Sequence, residues 1–311
     1  KIYKVNLIKP KFWDQNKLSL LSIVILPFTI ITQAYNFLKK NKLKYKSKIK
    51  TVCVGNIYIG GTGKTPLSLK INQILSKKFK TVIIKKFYLN QNDEIKLLKK
   101  YGKLISEKKR ESAIKIAEKK YELAIFDDGL QDPNLKYDIS IACFNSSVGF
   151  GNKLVIPAGP LRENISRLKK YDTVFLNGEK NILLEKEIKK INKKINIFRG
   201  RYILKNKKKL NRNKSNIIFS GIGNPKEFEN LLSKNKIKFN ESLRFSDHHQ
   251  YSKNEILNIK NISKRKNLGI ITTEKDYMRI PNKLKKNINV AKIEIEIVNE
   301  KSFVKFALNH L

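Results

Sequence analysis

The sequence predicts an α/β fold in which a doubly wound parallel sheet is followed by a second, smaller α/β lobe. Three observations support this prediction. Short apolar runs alternate with amphipathic helical patterns along most of the 311 residues. A glycine-rich turn joins an early strand to the helix after it, and 41% hydrophobic residues suffice for a sizeable core. Strands that alternate with helices pair in parallel, because each crossover helix returns the chain to the same edge of the sheet.

Composition excludes a disulfide framework or a cysteine-based zinc site and leaves the charge open to two interpretations. The two cysteines, Cys53 and Cys143, lie in apolar runs, which indicates buried thiols in a reducing compartment. The formal net charge is +41. Such a charge attracts polyanions, but the lysines are spread along the whole chain. We interpret it as composition bias that also favours an anionic membrane surface, and we expect no specific nucleic acid partner.

The N-terminal segment predicts a membrane-associated helix that does not cross the bilayer. Residues 18–31 are almost continuously apolar, but a spanning helix needs about 20 such residues, and Pro27 interrupts the run. No small-residue cleavage pattern of a signal peptide follows. A helix lying in the membrane interface, anchored by Trp13 and a lysine cluster, and a buried core helix both remain possible. We favour the interfacial helix. The lysines of the cluster are Lys39, Lys40, Lys42, Lys44, Lys46 and Lys48.

Residues 54–66, VGNIYIGGTGKTP, read as a phosphate-binding loop of the P-loop NTPase type. An apolar strand over residues 51–54 precedes the loop and a helical pattern follows it, as this motif requires. The glycines let backbone N–H groups turn toward one phosphate, and the helix N-terminus adds a positive dipole end. Lys64 would reach the outer phosphates of ATP, and Thr65 would bind Mg²⁺. The predicted nucleotide contacts are Tyr58, which replaces the usual first glycine, and Ile59, Gly60, Gly61, Thr62, Gly63, Lys64 and Thr65.

A second metal ligand is predicted where residues 123–126, another apolar run, end in Asp127 and Asp128. A carboxylate at this place in a P-loop fold holds Mg²⁺ opposite the loop threonine, directly or through water. We therefore predict a metal site formed by Thr65 with Asp127 or Asp128. The alternative is an acidic turn at a strand end, because Asp-Gly is itself a turn signal.

Further elements of the first lobe follow from periodicity. Residues 81–84, 139–144 and 173–176 are predicted strands, residues 90–93 a polar turn, and residues 94–100 and 107–120 helices. The stiff sequence Pro157-Ala158-Gly159-Pro160 then fixes the direction of Arg162 and Glu163. Arg162 is suited to hold a phosphate with two hydrogen bonds and to neutralise transition-state charge. A surface Arg–Glu pair is the alternative.

The second lobe begins after a predicted strand over residues 198–204 and a basic solvated loop over residues 205–215. Residues 217–219, 268–271 and 291–298 are its predicted strands. Asn224 and Pro225 indicate one helix start, and Ser252 with Glu255 forms a capping box at another. We expect a cleft between the two lobes.

Two of the three histidines lie together in Asp247-His248-His249. Adjacent side chains on an extended segment point to opposite sides, which disfavours a shared metal ion. A single histidine oriented by a carboxylate, ready for acid–base chemistry, is the better interpretation.

Six motifs, taken together and in order, resemble the tetraacyldisaccharide 4′-kinases of lipid A biosynthesis. They cover most of the chain, and the missing first glycine of the loop is shared with that family. The pattern after the second strand, Ser-Arg-Gly-Tyr in the family, here reads Lys85-Lys86-Phe87-Tyr88. The six motifs are residues 54–66, Asp127-Asp128-Gly129-Leu130-Gln131, residues 157–163, Ser220-Gly221-Ile222-Gly223-Asn224-Pro225, Asp247-His248-His249, and Thr272-Thr273-Glu274-Lys275-Asp276.

The resemblance implies transfer of the ATP γ-phosphate to the 4′-hydroxyl of a lipid A disaccharide 1-phosphate. It also implies peripheral attachment to the cytoplasmic face of the bacterial inner membrane. The family activates the hydroxyl with an Asp–His pair, which maps onto Asp93 and His248, and Arg162 is the third predicted catalytic residue. An N-cap of the following helix is the alternative for Asp93. Substrate-contacting or supporting roles are predicted for Glu163, Asp247 and His249, and we expect a monomer.

A regulatory P-loop ATPase of the partitioning or division-site type is the alternative function. Those proteins carry a lysine before the paired glycines, where this chain has Ile59. The predicted organisation is a membrane-associated segment over residues 1–48, a kinase core over 49–198, an α/β lobe over 199–298 and a C-terminal helix over 299–311.

Overall fold

The computed structural model describes residues 10–15, 18–38, 44–88, 92–210 and 214–311. Within these residues the α-helices are α1 (Leu20–Leu38), α2 (Lys64–Leu75), α3 (Asn92–Tyr101), α4 (Arg110–Ala117), α5 (Ile182–Ile191), α6 (Pro225–Lys234), α7 (Lys253–Arg265), α8 (Glu274–Arg279) and α9 (Glu300–His310).

The strands found in the same residues are β1 (Tyr45–Lys46), β2 (Lys50–Gly55), β3 (Thr81–Lys86), β4 (Leu104–Glu107), β5 (Leu123–Asp127), β6 (Leu135–Lys136), β7 (Ile139–Asn145), β8 (Thr173–Asn177), β9 (Asn196–Leu204), β10 (Asn216–Ser220), β11 (Phe239–Arg244), β12 (Gly269–Thr273), β13 (Asn289–Ala291) and β14 (Ile293–Val298). The α/β class with parallel sheets is confirmed.

The chain divides into two compact units, each formed by separate segments. The larger unit takes its described residues from 10–87, 102–201 and 296–311, and the smaller unit takes them from 88–101 and 202–295. The boundary after residue 201 falls inside strand β9, and the boundary after residue 295 falls inside strand β14. The segment that carries α3 thus belongs with residues more than a hundred positions further along.

The larger unit is built on a sheet with the strand order β14-β9-β8-β7-β2-β5-β3-β4. Strands β2, β5, β7 and β8 are almost wholly buried and pair in parallel. Continuous apolar runs of this kind form strands that are covered on both faces. The register pairs Val54 with Asp127, which brings the end of β2 beside the end of β5. The loop after β2 and the carboxylate of Asp127 therefore lie at one edge of the sheet.

The smaller unit is built on a parallel sheet with the order β11-β10-β12-β13. Its buried clusters centre on Phe228 and Leu232 of α6 and on Phe219 and Ile256. Both helix starts predicted from the sequence are confirmed. The Asn224 side chain caps α6 with Pro225 in its first turn, and the capping box of Ser252 and Glu255 begins α7.

Some predictions of secondary structure were wrong. The helix predicted from residue 107 begins only at Arg110, because residues 104–107 form β4 and pair with β3. This four-residue strand depends on its neighbour, and its sequence has no clear alternation. Helix α5 and strand β11 were not predicted. Residues 90–91 of the predicted turn, residues 211–213 of the basic loop, and Lys39, Lys40 and Lys42 of the lysine cluster lie outside the described residues.

Helix α1 has the reverse of the usual amphipathic arrangement. Its polar residues Ser22 and Thr29 are 0% and 3% exposed. Asn152 donates to Ser22 Oγ over 3.2 Å, and the Thr32 hydroxyl donates to the carbonyl oxygen of Ile156 over 2.8 Å. The apolar side chains point outward, and the alternative of a buried core helix is therefore wrong. Exposure is 59% for Leu21, 70% for Val24, 59% for Phe28 and 67% for Ile31.

None of the helices in the described residues has the length and apolar character needed to cross a membrane.

Candidate active site

The phosphate-binding loop has the backbone geometry that its glycines were expected to permit. Gly60 and Gly63 have φ values of 111° and 89°, in a region that side chains with a Cβ rarely adopt. Helix α2 begins directly after Gly63, so its N-terminus opens onto the loop. The Arg162 backbone N–H donates to the Ile57 carbonyl over 2.7 Å, which fixes the loop against the proline-containing turn.

The side chains of Tyr58 and Thr62, both in the loop, differ in whether their hydroxyl groups have a hydrogen-bond partner. The Tyr58 ring is buried and its hydroxyl is hydrogen-bonded to Asp14, so only the backbone of Tyr58 remains for a nucleotide. The Thr62 hydroxyl is buried and has no hydrogen-bond partner within the described part of the chain. A buried donor of this kind is normally satisfied in the working protein, and a phosphate oxygen would satisfy it.

Asp127 accepts three hydrogen bonds at the end of β5. Thr65 Oγ1 lies 3.1 Å from Oδ2, Ser68 Oγ lies 3.2 Å from Oδ1, and Lys85 Nζ lies 2.9 Å from Oδ2. The carboxylate is 0% exposed. Asp127 thus orients the loop threonine that was predicted to bind a metal ion.

Asp128, the next residue, faces a different set of cations. Its Oδ1 lies 3.0 Å from Arg162 Nη1 and 3.9 Å from Lys64 Nζ. Burial by itself would raise the pKa of Asp128, but the positive charges of Lys64 and Arg162 outweigh burial and hold it below the usual range. Asp128 has a φ of 65°, which is uncommon for a residue other than glycine. Arg110 donates to its carbonyl oxygen.

The turn after the prolines brings Arg162 to the site but turns Glu163 away from it. Arg162 Nη1 also approaches Gln131 Oε1, at 3.4 Å. Glu163 is buried and accepts hydrogen bonds from Arg167 Nε at 3.0 Å and from the Tyr171 hydroxyl at 3.1 Å. Its carboxylate holds the local turn together, which gives it a supporting position.

The donor set fits a magnesium ion that arrives with a nucleotide. The described residues contain no group of three or more His, Cys, Asp or Glu side chains that could hold a metal ion. Mg²⁺ bound with ATP needs only a few protein oxygens, because phosphates and water complete its shell. The Thr65 hydroxyl would supply such an oxygen, and the adjacent Asp127 carboxylate, which accepts a hydrogen bond from it, orients that hydroxyl.

The predicted Asp–His pair forms within the smaller unit. His248 Nδ1 lies 3.2 Å from Asp93 Oδ2 and 3.3 Å from Oδ1, although the two residues are 155 positions apart. The Asp93 carboxylate is 0% exposed, and the His248 side chain is 27% exposed. The hydrogen bond to Asp93 is the main reason that the pKa of His248 is raised above 6.5. His248 has a φ of 58°, again a left-handed backbone.

Asp93 has a second buried partner, Arg279. Arg279 Nε lies 3.2 Å from Asp93 Oδ2, and the guanidinium also donates to the carbonyl oxygens of Gly221 and His249. Burial alone would raise the pKa of Asp93. The hydrogen bond from His248 and the charge of Arg279 together lower it below the usual value, so the carboxylate stays ionised at neutral pH. Asp93 lies in the first turn of α3, but its carboxylate is used for tertiary contacts.

The neighbours of His248 in the sequence have other contacts. His249 Nε2 lies 3.0 Å from Glu255 Oε1, and its ring stacks on Phe245. Asp247 Oδ1 accepts the backbone N–H of His248 over 3.0 Å. Both residues support the loop that presents His248.

Comparison with known proteins identifies the family. A family profile described as tetraacyldisaccharide-1-P 4′-kinase matches residues 18–100 and 90–311. The chain belongs to this family. It is 49% identical to a tetraacyldisaccharide 4′-kinase of Pelagibacter ubique over 298 residues, which cover 94% of this chain and 95% of that protein. It is 32% identical to the one of Rickettsia typhi, with 97% of this chain and 99% of that protein covered.

A solved structure agrees with the fold. The chain matches LpxK from Aquifex aeolicus, described as an apo form in complex with ATP, with a TM-score of 0.71 and 21% identity. The match covers 94% of this chain and 99% of that one. As a member of the tetraacyldisaccharide 4′-kinase family, the protein is a phosphotransferase that uses ATP, and the regulatory ATPase alternative is set aside.

Three residues that make contacts at the two sites of this 4′-kinase family member were not predicted from the sequence. Lys85 was noted only as a departure from the family pattern, and Ser68 and Arg279 were not singled out. Arg279 follows Asp276 by three positions on α8, and the two side chains lie 3.4 Å apart. The three-residue spacing could have predicted the pair of Asp276 and Arg279 from the sequence. The contact of Arg279 with Asp93 could not be predicted in this way, because it depends on the packing of α3 against α8.

Proposed function

We propose that this protein transfers the γ-phosphate of ATP to the 4′-hydroxyl of a tetraacyldisaccharide 1-phosphate, on the cytoplasmic face of the bacterial inner membrane. Family membership supports the reaction class. The observation that carries the assignment of roles is the hydrogen bond between His248 and Asp93, because a kinase that acts on a sugar hydroxyl needs a proton acceptor.

In this proposal the larger unit binds ATP. Backbone N–H groups of Gly60–Gly63 and the Thr62 hydroxyl contact phosphate oxygens, and Lys64 neutralises their charge. The Thr65 hydroxyl binds Mg²⁺, with Asp127 orienting it, and the ion supplies further neutralisation of phosphate charge. Arg162, held by Asp128 at 3.0 Å, is available to stabilise the transferring phosphoryl group.

The smaller unit activates the acceptor. With Nδ1–H of His248 donating to Asp93, the lone pair of Nε2 is left to accept the proton of the 4′-hydroxyl. Asp93 fixes the tautomer and stabilises the imidazolium that forms. Arg279 keeps Asp93 ionised and aligned.

The exposed face of α1 supports peripheral attachment, and we propose that the protein acts as a monomer. Leu21, Val24, Phe28 and Ile31 recur at helical spacing, so they follow one side of the helix. An apolar stripe of this kind inserts at the boundary between headgroups and acyl chains, where a lipid substrate would be met.

The test is transfer of labelled γ-phosphate from ATP to a tetraacyldisaccharide 1-phosphate in detergent. Lys64→Ala is expected to lower turnover by about 100-fold or more because it removes the phosphate-bound cation. Lys77→Ala, an exposed lysine just after the same helix, is the matched control. Absence of transfer by the wild-type protein, beside an active family member, would refute the proposal.

A further inference from the structure

Lys85 is a buried lysine at the edge of the sheet that carries the nucleotide site. It lies near the end of β3, where the parallel register pairs it with Asp127 of β5. Only 3% of its surface is exposed. Lysine is almost never fully buried unless its charge is paired, and the pairing here is with the carboxylate expected beside the metal ion.

Lys85 and Thr65 share one oxygen atom of that carboxylate. Asp127 Oδ2 lies 2.9 Å from Lys85 Nζ and 3.1 Å from Thr65 Oγ1, and Oδ1 is occupied by Ser68. The negative charge of Asp127 is therefore already balanced by a fixed ammonium group. A carboxylate in an ion pair of this kind attracts Mg²⁺ less strongly than a free one, because the cation would have to compete with the ammonium group.

We propose that Lys85 is a built-in cation of the ATP site that partly substitutes for the metal charge at Asp127. Lys85 makes ATP binding less dependent on Mg²⁺, and at the same time it weakens the binding of Mg²⁺ to the ATP-bound protein. This inference rests on the proposed nucleotide site in the larger unit. It is independent of the acceptor and of the Asp93–His248 pair.

The two effects are linked by thermodynamics. The ratio of the ATP dissociation constant without metal to that with saturating Mg²⁺ measures the coupling between the two ligands. A fixed ammonium group stabilises metal-free ATP and competes with Mg²⁺, so it lowers this ratio. A lysine that only stabilised the fold would change both dissociation constants in the same direction and leave the ratio unchanged.

The experiment is isothermal titration of the full-length protein with ATP, once in EDTA and once in excess Mg²⁺. For the wild type we expect ATP binding in EDTA within about tenfold of that in Mg²⁺. Lys85→Met should weaken binding in EDTA by about tenfold or more and lower the Mg²⁺ concentration that gives half-maximal ATP binding. Lys85→Arg, which keeps the charge, should restore the wild-type ratio.

Lys80→Met is the matched control, because it removes the same charge from an exposed position directly before β3. Its ratio should equal that of the wild type. An unchanged ratio in Lys85→Met would overturn the inference and leave the ATP site intact. Should Lys85→Met not fold, the wild type decides, since undetectable binding in EDTA with tight binding in Mg²⁺ would also overturn it. Absence of ATP binding under both conditions would refute the nucleotide site itself.

Discussion

Single residues at both sites owe their chemistry to partners far away in the sequence. His248 differs from an ordinary surface histidine because Asp93 approaches its Nδ1. Asp93 stays ionised in its buried position because the hydrogen bond from His248 and the charge of Arg279, at 3.2 Å, lower its pKa. Breaking a buried pair of charges leaves the remaining group uncompensated, which is strongly destabilising. We therefore expect Asp93→Asn to be a better probe than Asp93→Ala, since it keeps the volume and a hydrogen-bonding group.

The proton acceptor predicts a pH dependence with a defined sign. His248 works as a base when it is neutral, so turnover should rise with pH through its raised pKa, above 6.5. Asp93→Asn should move this acid limb to lower pH, and His248→Ala should lower turnover by about 100-fold or more. The measurement is the pH profile of turnover, together with NMR titration of the three histidines. His310→Ala is the control, because the contacts of the His310 ring within the described part of the chain are with Phe306 of its own helix.

The raised pKa of His248 also predicts how the free energy of unfolding depends on pH. A histidine whose pKa is raised by folding contributes stability below its unfolded-state pKa and loses that contribution as pH rises through the folded-state pKa. The difference in unfolding free energy between wild type and His248→Ala should therefore shrink as pH rises above about 6.5. For the pH profile of turnover, an acid limb that stayed unchanged in both His248→Ala and Asp93→Asn would contradict the assignment of His248 as the base.

Among the elements, α1 shows that apolar content does not reveal which face is buried. Ser22, Thr29 and Thr32 recur at helical spacing, and they bind or face the protein while leucine, valine and phenylalanine side chains are exposed. In water, an uncovered row of large apolar side chains is unfavourable. The arrangement becomes favourable when acyl chains cover that face.

The membrane proposal is tested by changing only the exposed face of α1. The triple variant Leu21→Asp, Val24→Asp and Phe28→Asp should reduce sedimentation with anionic vesicles by about tenfold or more, because charged groups are excluded from the acyl region. Its melting temperature should stay near that of the wild type, since these side chains are exposed. Ile116→Asp, a 45% exposed position on α4, is the control. Unchanged sedimentation of the triple variant would assign membrane binding to another surface.

For the whole molecule, the excess of basic residues adds a second, non-specific attraction to anionic surfaces. The formal net charge is +41, because the chain has 67 lysines and arginines against 26 aspartates and glutamates. Surface charges act over about 10 Å at 0.1 M salt and about 3 Å at 1 M salt. Charge and the apolar face of α1 should thus contribute separately to attachment.

Salt titration separates these contributions. Sedimentation of the wild type with anionic vesicles should fall between 0.05 and about 0.5 M salt and then level off, because the apolar contact is insensitive to screening. The triple α1 variant should continue to fall toward zero. Neutral vesicles provide the control for charge. A wild type whose binding vanished at high salt would leave no role for α1.

The nucleotide loop and most strands could be predicted from the sequence because their determinants are local. Glycine spacing, apolar runs and helix caps act within a few residues, and β2, α2, β5, α6 and α7 begin close to their predicted positions. The short edge strand β4 could not be predicted, because it exists through its pairing with β3.

The sequence by itself determined the fold class and the family, and it predicted the phosphate-binding loop and the pairing of Asp93 with His248. Only the tertiary structure decided which charges meet: Lys85 with Asp127, Arg279 with Asp93, and Arg162 with Asp128. It also decided that α1 directs its polar side to the protein. The physical reason is that the hydrophobic periodicity of a segment determines its own helix or strand structure and which of its residues share a face. The partner of a buried charge or of a helix face is set by strand register and helix packing between segments far apart in the chain.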